Sequence, residues 1–221
     1  MPRVPDHVDE GAAGGALALL HAALLAAERR AATLAELSGV LGSTRDPLAL
    51  VQRAVDLVAR ATGAVGAFVY LWDRASERLV LKAATEGRQR PYVDAIGLRL
   101  GEGVTGWAAL MRRHAVINRG LQDDPRFITL PGLGEAEFRS MLAAPILVAG
   151  DDILGVFALY SLVEDGFSDD DVSLVDEVAT ILASGGAGIL ITHSRTVAAS
   201  TDRVYALDGR SLRPIGPGDA M

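Results

Sequence analysis

Cysteine is absent from the 221-residue chain, and its absence excludes disulfides, a thiol nucleophile and thiolate ligands for a metal. A membrane-spanning segment is lacking as well, because no uninterrupted apolar run reaches about 18 residues. The acidic start, with Asp6, Asp9 and Glu10, does not have the basic region of a secretory signal peptide. We therefore expect a cytoplasmic location and no membrane partner.

Positive charge is scarce and scattered. The chain has 21 Lys and Arg against 28 Asp and Glu, a net charge of −7, and its only adjacent arginines are Arg29-Arg30 and Arg112-Arg113. Because nucleic-acid binding depends on a concentrated basic surface, we expect no direct nucleic-acid binding by this chain. The sequence does not indicate a metal site. Its four histidines do not have the spacing of metal ligands, and they have no evident carboxylate partner in the sequence: His7, His21, His114 and His193.

A long N-terminal helix is predicted over residues 16–42, after a flexible N-terminus at 1–15. Its apolar positions follow a 3-4-3-4 spacing, typical of a helix that pairs with another helix: Leu17, Leu20, Leu24, Ala27, Ala31, Leu34, Ser38 and Leu41. A dimer contact is the favoured interpretation. The alanine content also fits packing of this helix onto the domain's own sheet, and that alternative stays open.

The remaining elements predict one domain at 46–199, followed by a flexible C-terminal tail at 200–221. A helix begins at Asp46-Pro47, and a final helix runs from Asp169 to about Ala199 with Ser168 as its cap. Between them, alternating apolar patterns predict strands at 64–72, 78–85, 115–118, 140–148 and 153–162. Strands joined by hairpins and flanked by helices indicate an α+β fold with a central antiparallel sheet.

A glycine-rich stretch at 98–111 connects a strand end to a short helix. Gly101, Gly103 and Gly106 allow positive φ angles or a close backbone approach, and Trp107 lies on the helix that follows. Two interpretations compete for this corner: an anion site formed by free backbone amides, and a tight turn that packs the helix on the sheet. The tight turn is favoured.

Five segments together resemble the GAF domain family. They are Leu100-Gly-Glu-Gly-Val-Thr-Gly-Trp107, Asp124-Pro-Arg-Phe127, Phe138-Arg-Ser-Met-Leu-Ala-Ala-Pro145, Ile153-Leu-Gly-Val-Phe-Ala-Leu-Tyr160 and Phe167-Ser-Asp-Asp-Asp-Val-Ser-Leu-Val175. The resemblance implies a GAF-like (PAS-like) antiparallel sheet of five to six strands with long terminal helices. It also implies small-molecule binding or dimerisation in signalling proteins, and it makes the glycine corner structural.

The resemblance also allows the known ligands and cofactors of the family to be compared with this sequence. Bilin-attaching relatives and free methionine sulfoxide reductases use cysteine, and the cyclic-nucleotide signature is broken by Arg119 and Pro131. Haem-binding relatives carry a histidine where this chain has Gly132 to Glu137. We expect no haem, bilin or other cofactor. With no candidate nucleophile or metal site, we also expect that the chain is not an enzyme.

A weaker similarity lies near the C-terminus. Ala206-Leu-Asp-Gly-Arg-Ser-Leu212 resembles the start of an ANTAR RNA-binding domain, a module that often follows GAF domains in actinobacteria. The remaining helices of such a domain are missing, so the tail is interpreted as a truncated start at most.

Candidate ligand-binding residues follow from strand alternation and from the long irregular loop at 119–138. Alternation directs Phe68, Tyr70 and Trp72 to one face of their strand, toward this loop, and small aliphatic residues to the other. The complete predicted site is Phe68, Tyr70, Trp72, Val104, Trp107, Asn118, Phe127, Phe138, Arg139 and Met141. Core packing of the aromatics is an equal alternative, and Arg139 more often pairs with a local acid such as Glu135 or Glu137.

The sequence thus predicts a bacterial, non-enzymatic, small-molecule-sensing regulatory domain. It would form a homodimer through its terminal helices and relay ligand binding to a signalling or transcriptional output. The alternative is a dimerisation or scaffold module whose pocket is filled by its own side chains.

Overall fold

The computed structural model describes residues 10–43, 46–87, 90–130, 134–148, 152–185, 204–208 and 211–215. Its helices are α1 (Glu10–Ser43), α2 (Pro47–Thr62), α3 (Gly103–Met111) and α4 (Asp169–Gly185). Its strands are β1 (Gly66–Asp73), β2 (Arg78–Ala84), β3 (Gly97–Leu98), β4 (Ala115–Ile117), β5 (Ser140–Val148), β6 (Asp152–Ser161), β7 (Val204–Asp208) and β8 (Ser211–Ile215).

The central sheet has six antiparallel strands in the order β3-β2-β1-β6-β5-β4. Strands β1 and β6 are the middle pair, and β4 is a short edge strand that pairs only with Met141–Ala143 of β5. The sheet carries helices on its faces, so the prediction of an α+β fold with an antiparallel sheet is confirmed.

Alternation along β1 divides the core into two layers. Ala67, Val69 and Leu71 join a helical core that includes buried residues of α2 and α4. Phe68 and Tyr70 point into a second cluster, hereafter the aromatic core, which also contains residues of α3 and of the loop after β4. The predicted difference between the two faces of this strand is confirmed, because successive side chains of a strand point to opposite sides.

The helix starts follow local side-chain chemistry. The Asp46 carboxylate accepts a hydrogen bond from the Leu48 amide at 2.9 Å, and Pro47 occupies the first turn of α2. At α4, the Ser168 amide donates to Asp171 Oδ2 at 2.9 Å while the Asp171 amide donates to Ser168 Oγ at 3.3 Å. This reciprocal pair is a capping box, and the prediction of Ser168 as the helix cap is confirmed.

The two halves of helix α1 differ in how much of their surface is exposed to solvent. Its N-terminal half exposes the predicted seam residues Leu17, Leu20 and Leu24 by 69%, 68% and 55%. Its C-terminal half packs inward, where Leu37 is fully buried in the helical core. The C-terminal half therefore packs on the domain's own core through α2 and α4 rather than directly on the sheet, and the dimer contact of the N-terminal half stays a prediction.

The chain ends of the domain differ from the sequence-based expectations. Helix α1 begins at Glu10, earlier than the predicted residue 16, because an alanine-rich segment favours helix despite its glycines. The predicted continuation of α4 beyond Gly185 to Ala199 and the turn at Gly150-Asp151 lie outside the described residues. The predicted tail contains a hairpin of β7 and β8.

The predicted division into 1–15, 16–42, 46–199 and 200–221 stays a prediction. In the described ranges, no helix combines the length and the apolar composition needed to cross a bilayer.

Candidate functional site

The aromatic core brings eight of the ten predicted site residues together. Five of the eight are buried and three are partly buried at its margin: Phe68, Tyr70, Val104, Phe138 and Met141 are buried, and Trp72, Trp107 and Phe127 are partly buried. Tyr160 of β6 packs between two of these aromatic side chains. The centroid of its ring lies 5.3 Å from that of Phe68 and 4.7 Å from that of Phe138. These spacings fall in the range of favourable aromatic pairs.

The margin of the aromatic core is formed by α3 and the loop at 119–138. Trp107 of α3 and Phe127 of the loop are both partly buried, and Ile128 of the loop packs against the same cluster. Leu121 is fully buried and fixes the start of the loop to the core. The exposed part of the site is therefore an apolar rim, with Trp107 contributed by a helix and Phe127 by a loop.

A charged pair holds this rim together. Arg126 donates two side-chain hydrogen bonds to the Asp124 carboxylate, from Nε to Oδ1 at 2.9 Å and from Nη2 to Oδ2 at 2.7 Å. The guanidinium carbon of Arg126 lies 4.6 Å from the centroid of the Trp107 ring, a cation–π distance. Asp124 thus orients Arg126 over Trp107 and joins the loop to α3. Hydrogen bonds from Arg126 hold the pKa of the Asp124 carboxyl below its usual range.

The glycine corner at the start of α3 is a packing device. A Cβ on Gly106 would lie 2.4 Å from the carbonyl oxygen of Arg99, so only glycine allows the strand end and the helix to approach this closely. Gly103 has a φ of +69°, and a Cβ there would lie 3.0 Å from the Ile128 side chain of the loop. The favoured tight-turn interpretation agrees with both contacts.

Asn118 and Arg139 are not part of the aromatic core. The Asn118 amide nitrogen donates to the carbonyl of Phe167 at 2.7 Å, and its oxygen accepts from the Phe167 amide at 3.2 Å. Arg139 is exposed and donates from Nη1 to the carbonyls of Ala136 and Phe138, both at 3.1 Å. Asn118 therefore connects β4 to the segment before α4, and Arg139 stiffens the end of the loop.

Sequence reasoning missed two residues of this site. Tyr160 has a usable signal, because it continues the alternation of Val156 and Ala158 on the face of β6 that meets the aromatic core. Arg126 has none, since nothing in the local pattern relates it to Trp107, nineteen positions earlier. Their contact depends on how the loop folds over α3.

Replacing Asp124 with asparagine should make the domain less stable and change its response to acid. At neutral pH we expect a loss of about 1–2 kcal/mol in the free energy of unfolding, because Arg126 loses a charged acceptor. A carboxyl with a lowered folded-state pKa stabilises the fold above its unfolded pKa, near 3.9, and this contribution is lost as the pH falls through the folded value. Urea unfolding between pH 6 and pH 2 should therefore show a shallower acid loss for Asp124→Asn than for wild type.

Asp123→Asn is the matched control for this measurement. It removes the same charge from the adjacent exposed position and leaves the Arg126 pair in place. It should retain the wild-type dependence on pH. Equal slopes for Asp124→Asn and wild type would contradict the role given to the Asp124–Arg126 pair.

Solved structures with the same architecture come from several bacteria. The GAF domain from a phosphoenolpyruvate-protein phosphotransferase of Coxiella burnetii has a TM-score of 0.67 and 21% identity, covering 78% of this chain and 98% of that one. The corresponding domain from Acinetobacter has a TM-score of 0.62 and 20% identity, covering 72% and 92%. A free methionine-R-sulfoxide reductase from Neisseria meningitidis, in complex with its substrate, has a TM-score of 0.60 and 22% identity, covering 69% and 85%. At these identities the likeness shows the fold alone.

The reductases correct one expectation. The prediction that this chain is not an enzyme is contradicted, because free methionine-R-sulfoxide reductases, which are enzymes, have the same fold. Function resides in the particular side chains placed on a fold, so this architecture does not secure a non-enzymatic role.

The family assignment rests on the sequence itself. No curated protein sequence matches the chain significantly, and no comparison supports the similarity of its tail to an ANTAR domain. The GAF domain family matches residues 44–185, a range that contains α2, the six-stranded sheet, α3 and α4. The fold of that family is one of ligand-binding regulatory domains. The chain belongs to the GAF domain family.

Proposed function

We propose that this protein is a bacterial, small-molecule-sensing regulatory domain that acts as a cytoplasmic homodimer. The ligand binds at the apolar rim over the aromatic core, and its binding is relayed through the terminal helices to a signalling or transcriptional output. The observation that carries the proposal is the rim itself, since Trp107 and Phe127 are held only partly buried above fully buried aromatic side chains. Apolar walls with a few polar groups are typical of small-molecule sites.

The polar groups at the rim support this location. Arg126 lies on the Trp107 ring and pairs with Asp124, so a guanidinium and a carboxylate stand beside the apolar surface. A ligand that enters between α3 and the loop would displace or reorient Arg126, which would change the contact between these two elements. A ligand shifts a conformational equilibrium only through different affinities for the two states, and the contact of Arg126 with Trp107 would be lost if the loop moved away from α3.

The relay would use the contact of α1 with α4. Arg30 of α1 pairs with Glu177 of α4, and the hydrogen bond raises the pKa of Arg30 and lowers that of Glu177. Both side chains are partly exposed, so this pair sets the relative position of the helices more than it stabilises them. A ligand-dependent shift of α4 would therefore reach α1 directly.

The partner proposed for α1 is a second copy of this chain. Residues 11–27 contain no Asp, Glu, Lys or Arg, and the exposed leucines of α1 repeat at heptad spacing. A leucine surface without charge is complementary to itself, and symmetric pairing of one surface is the commonest form of dimer.

The second candidate is a scaffold module with a self-filled interior. It is favoured by the complete burial of Phe68 and Tyr70 and by the 1% exposure of Met141, since these side chains already occupy the centre of the aromatic core. In that case the apolar rim would be only the partly exposed edge of the hydrophobic core, and the domain would mediate dimerisation without binding a ligand.

A thermal-shift screen with a metabolite panel distinguishes the two candidates. A ligand at about 100 times its Kd should raise the melting temperature by about 5–10 °C in the wild type. Phe127→Ala should remove most of that shift, because the loop side of the rim is truncated. Native mass spectrometry of freshly purified protein would reveal a co-purified molecule directly.

Leu110→Ala is the control for this screen, because it removes an exposed apolar side chain from α3 outside the rim. It should keep the full ligand-induced shift. A shift that survives in Phe127→Ala would place the ligand elsewhere, and the lack of any stabilising or co-purified compound would favour the scaffold module.

A further inference from the structure

A cleft lies at the edge of the central sheet, away from the aromatic core. Beyond Ala143, β5 has no pairing with β4, and the space beside this part of the strand is bounded by the end of α3 and by α4. The cleft has a volume of about 360 Å³, and Pro145 and Leu147 of β5 form its apolar floor. Because Pro145 has no backbone N–H to offer, this edge is poorly suited to pairing with another strand.

One wall of the cleft is basic. Arg112, Arg113 and His114 follow α3 and line the cleft, and they form the chain's only run of three consecutive basic residues. The carbonyl groups at the end of α3 are already bonded by backbone amides, from Arg112 to Ala109 at 3.4 Å and from Arg113 to Ala108 at 3.2 Å. The side chains of Arg113 and His114 are exposed, and helix capping does not require them.

The opposite wall presents an acid. Asp176 and Thr180 of α4 are one helical turn apart and line the cleft. Oδ2 of Asp176 is 3.9 Å from Nδ1 of His114, a partner that the sequence alone does not reveal. Burial raises the pKa of the Asp176 carboxyl, and His114 opposes this effect to a smaller extent. At 3.9 Å the two groups are too far apart for a hydrogen bond, so the carboxylate can accept one from a ligand.

The combination selects a class of ligand. A simple anion would be attracted by Arg113 and repelled by Asp176, since like charges at close range oppose binding. A carboxylic acid with a neighbouring hydroxyl or amino group can interact with both walls. Its carboxylate would bind to the arginine side chains, and its hydroxyl or amino group would donate a hydrogen bond to Asp176. A volume of about 360 Å³ accommodates a molecule with a few carbon atoms.

We propose that this cleft binds small hydroxy or amino carboxylic acids, at a site separate from the aromatic core. Arg113 supplies the carboxylate contact, and Asp176 accepts the hydrogen bond that distinguishes these acids from plain carboxylates. The proposal goes beyond the sensing function proposed above and does not depend on it, because no residue of the apolar rim takes part.

Succinate, malate and aspartate test the proposal, since they share one dicarboxylate skeleton and differ by a hydrogen, a hydroxyl and an amino group. Binding is measured by amide chemical shifts of the full chain. Malate or aspartate should bind about tenfold more tightly than succinate, in keeping with a hydrogen bond to a charged group. The shifts should concentrate at Arg113, His114, Asp176 and Thr180.

Three variants complete the test. Asp176→Asn should remove the preference for malate or aspartate, Arg113→Ala should weaken both by about tenfold, and Arg99→Ala, which changes the same charge outside the cleft, should change neither. Tighter binding of malate to Asp176→Asn would mean that Asp176 only repels anions, and would overturn the proposal. Equal affinity for the three acids, shifts centred on the 119–138 loop, or no binding at millimolar concentration would overturn it as well.

Discussion

Gly155→Ala is expected to lower the free energy of unfolding by about 3 kcal/mol or more. Gly155 lies in β6 opposite Leu71 of β1, and a Cβ added to it would be 2.2 Å from the carbonyl oxygen of Tyr70. That oxygen belongs to the backbone of the middle strand pair, so it cannot move away as a flexible side chain would. The strands must separate locally, and both core layers lose contacts because Tyr70 and Leu71 point into opposite layers.

Gly39→Ala is the matched control, because it makes the same chemical change in α1 where no atom lies within 4 Å of the new Cβ. It should stabilise the protein by about 0.5–1 kcal/mol, since alanine favours helix over glycine. Urea and thermal unfolding of the two variants, compared with wild type, measure both effects. A Gly155→Ala protein as stable as wild type would mean that β1 and β6 are not as close as the structure has them.

The elements that the sequence predicts well are those with local causes. Strand β5 coincides with its predicted limits at Ser140 and Val148, and the opposite orientations of Val69 and Tyr70 follow from alternation alone. The starts of α2 and α4 follow from the side chains of Asp46 and Ser168, which bond to backbone amides within one turn. In each case the determining residues are adjacent in the chain.

The contacts that the sequence does not predict join distant segments. Arg126 meets Trp107, and His114 meets Asp176 across sixty-two positions, because the sheet brings the end of α3 beside α4. Asn118 has the residue type of a ligand-binding group, yet its amide is occupied by the backbone of Phe167. Composition identifies candidate side chains, but only the folded chain determines which ones already have partners.

The same distinction applies to catalysis. The lack of cysteine argues against the thiol chemistry of the reductases, whereas the shared fold is compatible with an enzyme. Because the two observations point in opposite directions, neither alone decides what chemistry this chain performs. The decisive quantities are the affinities of the apolar rim and of the sheet-edge cleft for defined molecules. Trp107, Phe127 and Arg126 of the apolar rim do not line the sheet-edge cleft, so the ligands of the two sites can be measured separately.

Replacing Leu17, Leu20 and Leu24 together with glutamine should weaken the proposed homodimer at least 100-fold. Burying one leucine is worth about 1.5–3 kcal/mol, and a symmetric dimer would bury six of them, so even partial loss exceeds the ~2.7 kcal/mol of a 100-fold change. Glutamine and leucine have similar helix propensities, so α1 should remain helical. Since these leucines are 55–69% exposed in the single chain, the domain itself should keep its stability.

Light scattering and sedimentation at micromolar concentration give the oligomeric state. Leu162→Gln is the control, because it makes the same change at an exposed leucine directly after β6 and should leave the dimer intact. A wild-type monomer under these conditions, or a triple variant that still forms the dimer, would contradict pairing through α1. If only the triple variant is monomeric, then the N-terminal half of α1 is the interface, and the contact of Arg30 with Glu177 becomes the physical link between that interface and the ligand-binding domain.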